Sequence, residues 1–134
     1  MKKILAVFLS VSLYLFPGQL MASSFDGSLP LLCSVIDVVE CGAGGECSNG
    51  SAESVNLSQF YKIDANNRVI SSTGKNAQKA VIKEIKHLES HMIIQGIKDR
   101  GWTVVISKKT GKMTASVTDD QYGFMIFGAC TPLK

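Results

Sequence analysis

Four cysteines and two histidines are the residues of this chain best suited to chemistry. Cys33, Cys41, Cys47 and Cys130 are separated by eight, six and eighty-three positions, so no C-x-x-C pair exists for a redox couple or a zinc site. No histidine lies near a cysteine in sequence, so a Cys–His nucleophile would have to be assembled by the fold. On a helix, His87 and His91 would share one face, with Glu84 one turn earlier, a partial imidazole–carboxylate metal site. That constellation needs a third strong ligand and a helical backbone. Asp64, Asp99, Asp119 and Asp120 sit where turns are expected, and turn chemistry explains each of them. Asp37 differs because it interrupts an apolar run, and the expectation is that it points to solvent on a strand edge.

No group of residues combines a nucleophile, a base and an orienting partner, so the expectation is a protein that is not an enzyme and holds no cofactor or metal. Gly42-Ala43-Gly44-Gly45 lies between cysteines without a strand-to-helix context, which makes it a loop and not a phosphate cradle.

The use of the cysteines follows from the N-terminus. Lys2 and Lys3 precede the apolar run Ile4–Phe16, Pro17-Gly18 breaks it, and Leu20-Met21-Ala22 offers a small residue before a cut. This pattern predicts a signal peptide over residues 1–22. The apolar run is too short to span a bilayer, so no membrane span is expected after cleavage. Cys33 comes too late, behind a polar stretch, to be a lipid-bearing cysteine. An even cysteine count in a small exported domain predicts two disulfides, for which three pairings are open. The favoured one closes the Gly-rich loop with Cys41–Cys47 and ties the first element to the last with Cys33–Cys130. The predicted location is periplasmic or extracellular.

Lys2 and Lys3 are two of the fourteen basic residues, and none of the eleven acidic residues precedes Ser23. Residues 23–134 therefore carry twelve basic and eleven acidic side chains, a net charge of +1. Nothing in that balance attracts nucleic acid or an anionic membrane.

Residues 23–134 contain no repeat or linker and read as a single β domain. Short apolar runs alternate with turn signals, the pattern of an antiparallel up-and-down meander. Leu31–Val39 is rich in β-branched residues and predicts a buried strand, followed by a Gly-rich loop over Cys41–Gly50. Phe60–Asp64 and Arg68–Ser71 flank Ala65-Asn66-Asn67, whose asparagines tolerate a left-handed turn. Residues 79–88 fit either a helical stripe or a strand face, and their length and position favour a strand. His91–Ile97, Trp102–Ser107 and Lys112–Thr118 follow, and in the last of these Met113, Ala115 and Val117 alternate with Thr114, Ser116 and Thr118, which predicts one dry and one wet face. Tyr122–Cys130 is apolar on both faces, which predicts a central or covered strand. About eight strands in sequence are enough to close a small barrel, with Cys33–Cys130 at its seam. A rolled open sheet and a two-sheet sandwich are the alternatives.

Phe25-Asp26-Gly27, Leu31-Leu32-Cys33, Glu40-Cys41 and Cys47 in the first half recur in a known pattern. So do Phe60 with Ile63-Asp64, Gln95-Gly96, Gly101-Trp102, Thr110-Gly111-Lys112-Met113-Thr114 and Phe127-Gly128-Ala129-Cys130-Thr131. With them the chain resembles a family of short exported proteobacterial proteins of uncharacterised function. The resemblance implies export and this cysteine pattern, and it carries no activity or ligand.

Two functions suit such a domain. A barrel can hold a small apolar ligand, with Phe60, Tyr61, Trp102, Tyr122, Phe124 and Phe127 available to line it or to form ordinary core. Alternatively, the domain is a cell-envelope protein–protein interaction or structural module that binds through a sheet edge or the Cys41–Cys47 loop.

Overall fold

The computed structural model describes residues 24–134, so the signal peptide expected over residues 1–22 lies outside the described residues. Nine strands form one antiparallel sheet: β1 Leu31–Gly42, β2 Cys47–Gly50, β3 Phe60–Asp64, β4 Val69–Ser72, β5 Lys79–His87, β6 His91–Lys98, β7 Arg100–Ser107, β8 Lys112–Thr118 and β9 Tyr122–Pro132. The ambiguous Lys79–His87 segment is a strand. Its side chains must alternate between the core and water beside Ile94 and Met92 on β6, and a helix there would leave β4 and β6 each with one unpaired edge.

Strands β3 to β9 pair in succession, β1 pairs with both β3 and β9, and the sheet closes into an eight-stranded barrel. The closing ladder between β1 and β9 is the longest, running from Leu31↔Pro132 to Gly42↔Tyr122. Cys33 faces Cys130 across it and the two form a disulfide. The second disulfide joins Cys41 to Cys47. All four cysteines are therefore paired as expected, and both bonds are compatible with an oxidising compartment.

The extra strand arises in the segment expected to be loop. Cys47–Gly50 pairs back on β1 as β2, so only the residues between Gly42 and Cys47 turn. That turn is closed by Gly42 N–H donating to Glu46 O at 3.0 Å, and Gly45 takes a left-handed φ of 82°. After β2, a single 3-10 turn over Glu53–Val55 ends at Asn56 with φ 57° and leads the chain to β3.

Two further expectations are corrected, and a third is met. In the β3–β4 turn the left-handed residue is Arg68, at φ 55°, and neither asparagine adopts positive φ. Asp64 captures the Asn67 amide at 3.0 Å and its side-chain Nδ2 at 2.9 Å, so the reversal is completed one residue later. Asp37 is exposed as expected, yet β1 is not an edge strand. The residue lies at a β-bulge between Val35 and Asp37, where pairing with β3 has ended and pairing with β2 has not begun. Strand β9 is central as expected, paired with β8 and β1, and Met125 and Phe127 on its outer face are 42% and 41% exposed.

One end of the barrel is tightly packed. Leu31, Ile63, Met92, Ile94 and Ile106 point inward there and are at most 2% exposed. The segment before β1 seals this end: Gly27, at φ 83°, sits so close to the Met92 thioether that a Cβ would come within 2.9 Å of its sulfur. Asp26 holds the turn by accepting from Ser28 N–H at 2.9 Å. The Ser28 side chain, the Ser28 amide and the Ser24 side chain lower its pKa from 3.8 to about 2. A depressed carboxylate stabilises the fold above its ordinary pKa and loses that contribution as pH falls toward the folded value. The Asp26→Asn variant should therefore melt slightly below the native protein at pH 6, by less than about 1 kcal/mol for so exposed a group. The difference should vanish between pH 3.8 and pH 2, as followed by thermal melts across that range.

Candidate functional site

The other end of the barrel is loosely filled. Val104, Met113, Ala115 and Ile126 point inward from the three neighbouring strands β7, β8 and β9, yet each keeps 6–8% exposure. They face a cavity of about 170 Å³. Tyr61, Ile63, Ile70, Ala80, Trp102 and Val117 complete most of its wall, and Leu57, from the stretch before β3, reaches in from the rim. The space exists because two inward positions carry alanine, Ala80 on β5 and Ala115 on β8, and an eight-stranded wall does not contract around them. Its size is close to the ~150 Å³ engineered apolar cavity that stays dry and takes up benzene.

This cavity continues into a wider vestibule of about 520 Å³, with which it shares Leu57, Tyr61, Ile70, Ala80 and Trp102. The chemistry changes at that boundary. Beyond the apolar wall the lining is Asn56, Ser58, Ser72, Asn76, Gln78, Lys79 and Lys98, with no carboxylate among the described residues. Lys98 Nζ donates to Gln78 Oε1 at 3.0 Å, which fixes the ammonium at the rim without neutralising it.

Trp102 is the hinge between the two compartments. It pairs with Gly96 on β6, and a Cβ on that glycine would collide with the indole ring, so the ring lies over a bare backbone. Its Nε1 is the only buried side-chain nitrogen or oxygen without a hydrogen-bond partner among the described residues. Such a donor represents a real cost unless an acceptor reaches it. Tyr61 has its hydroxyl on Ser58 N–H at 3.2 Å, and burial pushes its pKa up.

The aromatic residues named from the sequence thus divide. Tyr61 and Trp102 line the cavity and Phe124 packs against the core, whereas Phe60, Tyr122 and Phe127 are 41–46% exposed on the outside. The alanines and lysines of the site carried no signal in the sequence beyond their strand positions.

The candidate metal and nucleophile groups are not brought together. His87 and His91 lie on successive strands across the Leu88-Glu89-Ser90 turn, and both are exposed. His91 Nδ1 is hydrogen-bonded to Ser90 Oγ at 2.7 Å, while Glu84 pairs with Lys86 at 3.2 Å. Among the described residues no group of three or more His, Cys, Asp or Glu side chains could hold a metal. Asp64 and Asp119 have lowered pKa values because turn groups donate to them, chiefly the Asn67 side chain and the Tyr122 amide, respectively. No protein-family profile, curated protein or solved structure matches this chain, so the reading of the site rests on its geometry.

Proposed function

We propose that this chain is exported after loss of residues 1–22 and that its barrel binds a small apolar ligand without catalysis. The observation that carries the reading is the apolar cavity of about 170 Å³, closed at one end and continuous with the vestibule at the other. Water in such a space finds few polar partners, so an apolar group entering it replaces poorly bonded solvent. Both disulfides suit an oxidising location outside the cytoplasm.

Trp102 is the chain's single tryptophan, which makes its emission a direct reporter of the site. Titration of the oxidised protein with 1-aminoanthracene should quench Trp102 saturably at one probe per chain. Ala115→Leu, which fills the cavity, should abolish that signal while circular dichroism and melting stay close to native. Quenching that survives Ala115→Leu in a folded protein would place the probe elsewhere and remove the reading.

The alternative, a cell-envelope interaction or structural module, draws on the outer face of the seam. Ile36, Met125 and Phe127 are 61%, 42% and 41% exposed, and Ile36 lies in the β1 bulge next to Asp37, the partner of Phe127 on β9. A filled barrel interior would have favoured it, and the observed cavity favours the ligand.

A further inference from the structure

Building on the apolar-ligand reading, we infer that the natural ligand is an anionic amphiphile, its tail in the barrel and its carboxylate or equivalent acid at the Lys79–Lys98 rim. Three independent features point to this class. The cavity accepts an apolar group about the size of a benzene ring, and the vestibule gives the rest of a short chain room to emerge. The vestibule lining then includes two lysines and no carboxylate, and the Lys98 ammonium is held there by Gln78. Among the described residues neither lysine forms an ion pair, and Asp99, next to Lys98 in the β6–β7 turn, is not part of the lining.

The third feature is the hydrogen-bonding inventory. Gln78 accepts from Lys98 through its side-chain oxygen, which leaves its amide nitrogen free to donate. Together with the Lys98 ammonium and the Asn76 amide, the vestibule is rich in donors. A head group made only of acceptors complements it. A cationic head would meet Lys98 and Lys79 as like charges, and a neutral hydroxyl would use one donor and leave the charges uncompensated.

The size of the two compartments limits the tail. A chain of roughly eight carbons fills the benzene-sized cavity and reaches the vestibule, whereas a long acyl chain must fold back or protrude.

The test uses the oxidised protein and three probes of equal chain length: octanoate, octanol and octylammonium. Binding is followed by Trp102 emission and checked by isothermal titration calorimetry. The expected result is octanoate binding about tenfold tighter than octanol, with octylammonium weakest. In the Lys79→Gln/Lys98→Gln double variant, octanoate should fall to the affinity of octanol while octanol itself is unchanged. Equal binding of octanoate and octanol by the native protein would overturn the head-group assignment and leave the apolar-ligand reading standing. A preference for octanoate that persists in the double variant would overturn the role of these lysines. Failure of all three probes to bind, by both readouts, would instead overturn the apolar-ligand reading itself. Lys109→Gln, which removes an exposed cation outside the vestibule, should keep the octanoate preference, and its loss there would overturn the role of the rim lysines in favour of overall charge.

Discussion

Oxidised protein carrying Cys33→Ala and Cys130→Ala should melt about 12–15 °C below the native protein, a loss of roughly 3 kcal/mol. The bond spans a sequence separation of 97 and so restricts nearly the whole domain in its unfolded state. It also lies at the only place where the first strand of the barrel meets the last, and both sulfurs are within the core, with Cys33 fully buried. Truncation to alanine therefore adds a small cavity to the lost constraint. The Cys41→Ala/Cys47→Ala pair provides the comparison. That bond spans a separation of 6 and closes an exposed hairpin, where the chain-entropy account assigns about half the effect and opening is local. Differential scanning calorimetry of the two double variants checks the ranking. Equal losses would mean that the seam is held by its backbone ladder alone.

A comparable loss is expected from one methyl group. Gly128 on β9 faces Val35 on β1 and Met113 on β8, immediately before the bulge at which β1 changes register. A Cβ at Gly128 would collide with the carbonyl oxygen of Ser34 and come within 2.8 Å of the Met113 Cε. The methionine end can swing aside, but Ser34 is backbone, held in the ladder close to the Cys33–Cys130 bond. Gly128→Ala should therefore cost about 3 kcal/mol, at the upper end of overpacking effects, because the strand itself must move. Gly44→Ala is the control, since nothing lies within 4 Å of its Cβ position and its φ is not positive. It should change stability by less than about 0.5 kcal/mol. Urea unfolding of both variants decides the matter, and a Gly128→Ala loss below about 1 kcal/mol would mean that β1 and β9 are not pressed together at this point.

These two sites show how differently the sequence announces its constraints. The cysteine pair is legible because even cysteine numbers in an exported chain have few uses, and because first-to-last pairing suits a meander that closes. Gly128 is not legible: in the sequence it is one glycine in an apolar strand, and only the approach of Ser34 makes it irreplaceable. The alternation of Met113, Ala115 and Val117 with Thr114, Ser116 and Thr118 correctly assigned β8 one dry and one wet face. At β9 both faces are apolar, so alternation left open which one is core, and Met125 and Phe127 lie on the outer wall. A period of two says that a strand has two faces and does not say what lies against either.

Local physics on its own determined where the chain turns, which segments extend and that the cysteines pair. Those outcomes depend on neighbours in sequence: β-branched runs, Asn and Gly at reversals, and polar–apolar alternation. The β2 hairpin, the left-handed Arg68 and the bulge at Asp37 escaped because each answers to a partner strand. Tertiary structure alone decided that the sheet closes, that Ala80 and Ala115 look into one space, and that Lys79 and Lys98 stand at its mouth. The reason is geometric. A cavity is the difference between the volume a closed wall encloses and the side chains that fill it, and the enclosed volume follows from strand number and stagger, which no single segment carries.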